Sequence, residues 1–97
     1  MLLDAFELGV DIALQALTKY VGGHSDLLLG SVSVRDDRLH LKLGAAQQMI
    51  GCAVSPDDCS LALRGLQTLG VRLEAIEESA LAIAKWLAER EIGRAHV

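Results

Sequence analysis

Lys19 is the residue whose setting in the sequence best suits chemistry. It follows a run of strand-forming residues, it is preceded by Thr18, and Gly22 and Gly23 come shortly after it. A lysine at such a place can project from the end of a sheet into a cleft, where loss of solvent makes its amine a nucleophile toward carbonyl groups. On position alone, the alternative is a solvated lysine on a loop, which is the commoner role of this residue type.

The other chemically capable side chains favour structural roles. Six residues lie between Cys52 and Cys59, which fits neither a C-x-x-C redox pair nor the paired spacing of a zinc site. We expect both to be buried free thiols, with no disulfide and no metal site. His24 and Asp26 stand beside the start of a strand, where a histidine is usually a structural hydrogen-bond partner.

Composition narrows the function classes. The chain has 97 residues, enough for one domain, with 13 acidic and 9 basic side chains and 3% aromatic residues. An acidic chain without a basic cluster is a poor nucleic-acid binder. Apolar runs stop far short of the roughly 20 residues that span a bilayer, and the first residues lack the basic flank of a secretion signal. We therefore expect no nucleic-acid or membrane partner, and a cytoplasmic protein.

The elements that must position Lys19 begin with two strands. Residues 10–17 and 27–34 are rich in Val, Ile and Leu, the composition of strands covered on both faces in a parallel or mixed sheet. The polar connection between them contains the glycine pair, which can adopt positive φ. Two such strands need further strands beside them, so the predicted elements are too few for a complete domain.

Three helices are predicted after the strands. The first has apolar residues at helical spacing and stops at Gly51, and the second begins with Ser55 as its cap and Pro56 at the first helical position. The third carries a stripe that we expect to pack in a core or an interface, made of Leu69, Leu73, Ile76, Ala80, Ile83 and Leu87.

The sequence around Lys19 resembles a known family. The segment from Gly9 to Gly30, with Thr-Lys-Tyr followed by Gly-Gly-His-Ser-Asp, is similar to the cofactor-lysine segment of the pyridoxal 5'-phosphate (PLP) enzymes of Cys/Met metabolism. The resemblance continues through the run from Leu63 to Leu73 and reaches about Glu89. This family includes cystathionine β-lyase, cystathionine γ-synthase, cystathionine γ-lyase and methionine γ-lyase.

Two features resemble the bacterial cystathionine β-lyases most. One is Gln15, just upstream of the Thr-Lys pair, and the other is the Leu-Gly-Val-Arg-Leu run that ends at Leu73. The γ-enzymes tend to carry His-Ser ahead of the corresponding Thr-Lys pair.

The resemblance implies roles for two residues. Lys19 would bind PLP covalently and move a proton from the substrate Cα, and Thr18 would donate a hydrogen bond to the cofactor phosphate. Many relatives have a second phosphate-binding Ser three residues before the lysine, where this chain has Ala16. We expect Arg64 and Arg72 to be structural, because the family's carboxylate-binding arginine lies nearer the C-terminus.

The implied fold is α/β, part of the large PLP-binding domain of the aspartate-aminotransferase type (fold type I). It would occupy residues 1–91, followed by a tail, 92–97, that leaves the family pattern and resembles translated sequencing-adapter DNA. The implied reaction is β-elimination of cystathionine to homocysteine, pyruvate and ammonia, on the route to methionine, in a homotetramer. Most of the family's other site residues are not found here, so we expect the chain to be inactive alone.

Two alternatives stay open. Within the enzyme class, the chain could belong to a cystathionine γ-synthase or γ-lyase. From another class, it could be a non-catalytic helical interaction module, which would melt cooperatively by itself.

Overall fold

The computed structural model describes residues 3–90. The elements are a short 3-10 helix at Phe6–Leu8, then β1 (Ile12–Ala16), β2 (Gly30–Val34), α1 (Asp37–Ile50), α2 (Pro56–Leu66) and α3 (Leu69–Ala88). This order confirms the predicted α/β class with two strands followed by three helices. The expected tail, residues 92–97, lies outside the described residues.

The two strands form an antiparallel pair. Ile12 lies opposite Val34, and Ala16 lies opposite Gly30. Both strands are shorter than the apolar runs at 10–17 and 27–34, because the chain turns at Thr18 and reaches β2 through an irregular segment. The expected cover on both faces is not found within residues 3–90, where the pair has no third strand beside it and two strands supply too few neighbours to bury their side chains.

The helix ends follow the local sequence signals. Asp36 caps α1 by accepting a hydrogen bond from the Arg38 amide at 2.7 Å, and Gly51 ends that helix with a left-handed φ of 79°. Ser55 caps α2 in the same way, since its hydroxyl accepts from the Asp58 amide at 3.1 Å. The predicted Gly51 stop and Ser55-Pro56 start are both confirmed.

The most buried part of the chain lies where α2 meets the loop between the strands. Val21, Leu27 and Ala62 are only 7%, 6% and 7% exposed, and Gly22 and Gly65 are buried beside them. A Cβ placed on Gly65 would lie 2.6 Å from the Gly22 carbonyl oxygen and closer still to that of Val21. Because Gly65 has no side chain, α2 packs directly against the backbone that follows Lys19.

The rest of the chain buries little within the described residues. The apolar stripe of α3 is half-buried at Leu69 and Leu73 and exposed from Ile76 onward. Cys52 and Cys59 are free but exposed, so the prediction that they are buried is wrong for residues 3–90. No other described element covers the α1–α2 loop or that part of α2. None of the helices in this range is long and apolar enough to cross a membrane.

Candidate functional site

Lys19 lies in a tight turn that follows β1. The Gly22 amide donates to the Leu17 carbonyl, and the Gly23 amide donates to the Lys19 carbonyl, each at 2.8 Å. These bonds fix the backbone of Lys19 while its side chain stays exposed. The turn therefore presents the amine toward solvent from a constrained main chain.

Thr18 joins this turn to the start of β2. Its hydroxyl accepts a hydrogen bond from the Leu29 amide at 3.0 Å and donates to the Leu29 carbonyl at 3.3 Å. The donated bond is long for a hydroxyl group, and a hydroxyl proton rotates freely. Thr18 can therefore keep accepting the hydrogen bond from the Leu29 amide while its hydroxyl proton turns toward an anion beside it.

The segment after the turn is held by short-range and long-range contacts. His24 Nδ1 donates to the Gly22 carbonyl oxygen at 3.0 Å, which fits the structural role predicted for His24. Asp26 forms a salt bridge of 2.6 Å with Arg64 of α2, and both side chains are partly exposed. Ser25, between them, has a φ of 56°, a left-handed conformation that residues other than glycine adopt at a cost of roughly 1–2 kcal/mol.

Arg72 connects the turn to both later helices. Its Nη1 atom donates to the Tyr20 carbonyl at 2.5 Å, and its Nη2 atom donates to the carbonyls of Val21 at 3.3 Å and Gly65 at 2.6 Å. Nε donates to the Thr68 hydroxyl at 3.0 Å. Arg64 and Arg72 thus both tie elements together, as predicted.

A cleft of about 730 Å³ opens beside the turn. Its polar lining includes Thr18, Lys19, Ser25 and Arg72, and its apolar lining includes Leu27 and Ile76. The cleft therefore combines a primary amine with hydroxyl groups, a set that suits an anionic carbonyl compound. Within residues 3–90, no group of His, Cys, Asp and Glu side chains is arranged to hold a metal ion.

Sequence reasoning selected Lys19 and Thr18, and the structure places both on this cleft. It did not predict the contact of Gly65 with the turn or the hydrogen bonds from Arg72 to the turn. For Gly23, the sequence predicts that φ can be positive but not that the residue lies against Arg72. The φ of Gly23 is 78°, and a Cβ there would lie 2.6 Å from Arg72 Nη1.

Known proteins with similar sequences are enzymes of cystathionine metabolism. The chain is 48% identical over 84 residues to cystathionine gamma-lyase of Dictyostelium discoideum, which covers 87% of this chain and 22% of the relative. It is 51% identical over 83 residues to a putative cystathionine beta-lyase of Rhizobium johnstonii, covering 86% of this chain and 21% of the relative. The chain thus spans about a fifth of the length of these curated relatives.

A solved structure shares the fold. Cystathionine gamma synthase from Xanthomonas oryzae pv. oryzae, in complex with aminoacrylate and cysteine, matches with a TM-score of 0.85 and 42% identity. The match covers 89% of this chain and 22% of that one. At the level of sequence, a family model matches residues 1–95. The chain therefore belongs to the Cys/Met metabolism PLP-dependent enzyme family.

Proposed function

We propose that this chain is part of the large PLP-binding domain of a carbon–sulfur lyase of the cystathionine β-lyase type. The observation that carries the proposal is the position of Lys19 on a constrained turn beside a cleft that Thr18 also lines. Residues 1–91 form the partial domain in this proposal, and residues 92–97 lie outside it.

The residues of the cleft fit PLP, which has an aldehyde and a phosphate group. Lys19 would hold the aldehyde carbon through its amine, and the Thr18 hydroxyl would donate a hydrogen bond to the phosphate. When bound, PLP supplies an electron sink for negative charge that develops on the substrate Cα. Lys19 would move the Cα proton, a role that needs its position to be fixed.

The proposed reaction is the hydrolytic β-elimination of cystathionine. The bond between the substrate Cβ and sulfur breaks, and the sulfur leaves with homocysteine. Water completes the balance, so that one cystathionine and one water give homocysteine, pyruvate and ammonia. The resemblance of Gln15 and of the run ending at Leu73 to bacterial β-lyases supports this choice.

A γ-synthase or γ-lyase is the second candidate, favoured by the gamma-lyase and gamma synthase among the similar proteins. The full-length protein that carries this chain separates the candidates when it is incubated with cystathionine and the products are quantified. We expect homocysteine and pyruvate in equal amounts. Cysteine and 2-oxobutyrate would instead assign a γ-lyase. Failure to cleave cystathionine, together with formation of it from cysteine and an activated homoserine ester, would assign a γ-synthase.

The proposed setting is a homotetramer in the cytoplasm. Two exposed free thiols, Cys52 and Cys59, suit a reducing compartment. The exposed apolar stripe of α3 suits contact with further protein, from the same chain or from another subunit.

The 97-residue chain alone is expected to be inactive and to lose added PLP on dialysis. Within residues 3–90, the turn that carries Lys19 packs on very few buried side chains, and each strand has one edge without a partner strand. Absorbance after dialysis and thermal melting followed by circular dichroism test this expectation. A cofactor absorbance band that survives dialysis would contradict it. A cooperative melt without cofactor binding would instead support the helical interaction module.

A further inference from the structure

The main chain around Lys19 has a support that lies far away in the sequence. Tyr20 and Val21 directly follow Lys19, and both of their carbonyls accept hydrogen bonds from the guanidinium of Arg72. Arg72 comes 52 residues after Tyr20. Arg72 of α3 therefore holds the turn from outside it.

That side chain is itself fixed by two other segments. Arg72 donates to the Gly65 carbonyl near the end of α2 and to the Thr68 hydroxyl between α2 and α3. A planar guanidinium presents five donors in a fixed geometry, whereas an ammonium group has three donors that rotate on a flexible stem. The turn, α2 and α3 thus meet at one cation.

Two glycines allow this close arrangement. A Cβ on Gly23 would lie 2.6 Å from Arg72 Nη1, and a Cβ on Gly65 would overlap the carbonyl of Val21. The Lys19 carbonyl is in turn bonded to the Gly23 amide. Arg72 is therefore linked to the backbone of Lys19 through Tyr20, Val21 and Gly23.

We propose that Arg72 is a positioning residue for Lys19: by holding the Tyr20 and Val21 carbonyls, it sets where the lysine amine stands in the cleft. The inference rests on the proposed function of Lys19. The Arg72 donors serve main-chain carbonyls and the Thr68 hydroxyl, so Arg72 acts through the turn and not on a reacting atom.

The test replaces Arg72 with Met, which keeps most of the stem but removes all the donors, in the full-length protein at saturating PLP. We expect kcat to fall about 100-fold, since displacement of a reacting group by about 1 Å costs that much, while the KM for cystathionine stays nearly unchanged. The visible circular dichroism of the bound cofactor should also change, because it reports the orientation of the cofactor. Arg64→Met is the matched control, expected to change kcat by less than about fivefold, because an exposed ion pair contributes little.

The outcomes separate the two proposals. A kcat and a visible circular dichroism signal equal to those of the unmodified protein in Arg72→Met would overturn the positioning role. Where Arg72→Met fails to fold, Arg72→Lys decides: a loss of about tenfold in kcat supports the role, and no loss overturns it. Borohydride reduction of Lys19→Ala, followed by mass spectrometry, tests the proposed function separately. PLP attached to this variant through another lysine, in the same amount as in the unmodified protein, would overturn the function of Lys19 itself.

Discussion

Lys19→Ala in the full-length protein is expected to abolish covalent PLP binding and to lower the rate of pyruvate release by about 10⁴-fold, the upper end of what a proton-transfer group contributes. The methyl group of alanine cannot bond to an aldehyde or move a proton. The turn itself should persist, because its hydrogen bonds involve the Lys19 main chain and not its side chain. Borohydride reduction followed by peptide mapping measures the covalent bond, and a coupled pyruvate assay measures turnover.

Two further variants isolate the amine as the cause. Lys19→Arg keeps a positive charge on the turn but has no amine to form the bond, so it should be as inactive as Lys19→Ala. Lys42→Ala removes an exposed lysine of α1 and should leave both measurements unchanged. Substantial pyruvate release by Lys19→Ala would contradict the assignment of Lys19.

Gly65→Ala is expected to destabilise the protein by about 1–3 kcal/mol, the usual cost of forcing extra volume into a packed site. The added methyl group would overlap the Val21 carbonyl and lie 2.6 Å from that of Gly22. The methyl group would be fixed to helix α2, and the oxygen atoms that it meets belong to the main chain. A change of side-chain rotamer therefore cannot relieve these contacts. The free energy of unfolding in urea measures the loss, and the fraction of PLP retained after dialysis should fall with it.

Gly44→Ala provides the control for this substitution. Gly44 lies within α1, and a Cβ there would have no neighbour within 4 Å outside the helix backbone itself. Alanine in a helix interior is favoured over glycine by about 0.5–1 kcal/mol, so this variant should be more stable than the starting protein. Equal effects of the two substitutions would show that α2 does not depend on close contact with the turn.

The parts of the structure that the sequence predicts are those fixed by near neighbours. Ser55 and Pro56 start α2, and Gly51 stops α1, because capping needs only residues within one turn of a helix. Lys19 was identified by its setting and by the resemblance of the residues around it. Each of these signals is contiguous in the chain.

The features that escaped prediction depend on contacts between distant segments. Nothing in the residues beside Gly65 shows that it meets the Val21 carbonyl, and nothing beside Arg72 shows that it reaches Tyr20. The prediction that Cys52 and Cys59 are buried was wrong for a related reason. Burial depends on what covers a residue, and no described element covers these two. Apolar character predicts a preference for burial but does not supply the partner.

Two sets of hydrogen bonds hold the turn that carries Lys19, and they differ in the number of residues between their partners. The Thr18–Leu29 pair spans 11 residues, and the Tyr20–Arg72 bond spans 52. By the logarithmic cost of loop closure, the longer loop loses about 1.4 kcal/mol more chain entropy than the shorter one. During synthesis, the 11-residue closure is possible long before residue 72 exists. The turn that carries Lys19 can therefore form first within a local hairpin, and it reaches its final position only after α3 has been made.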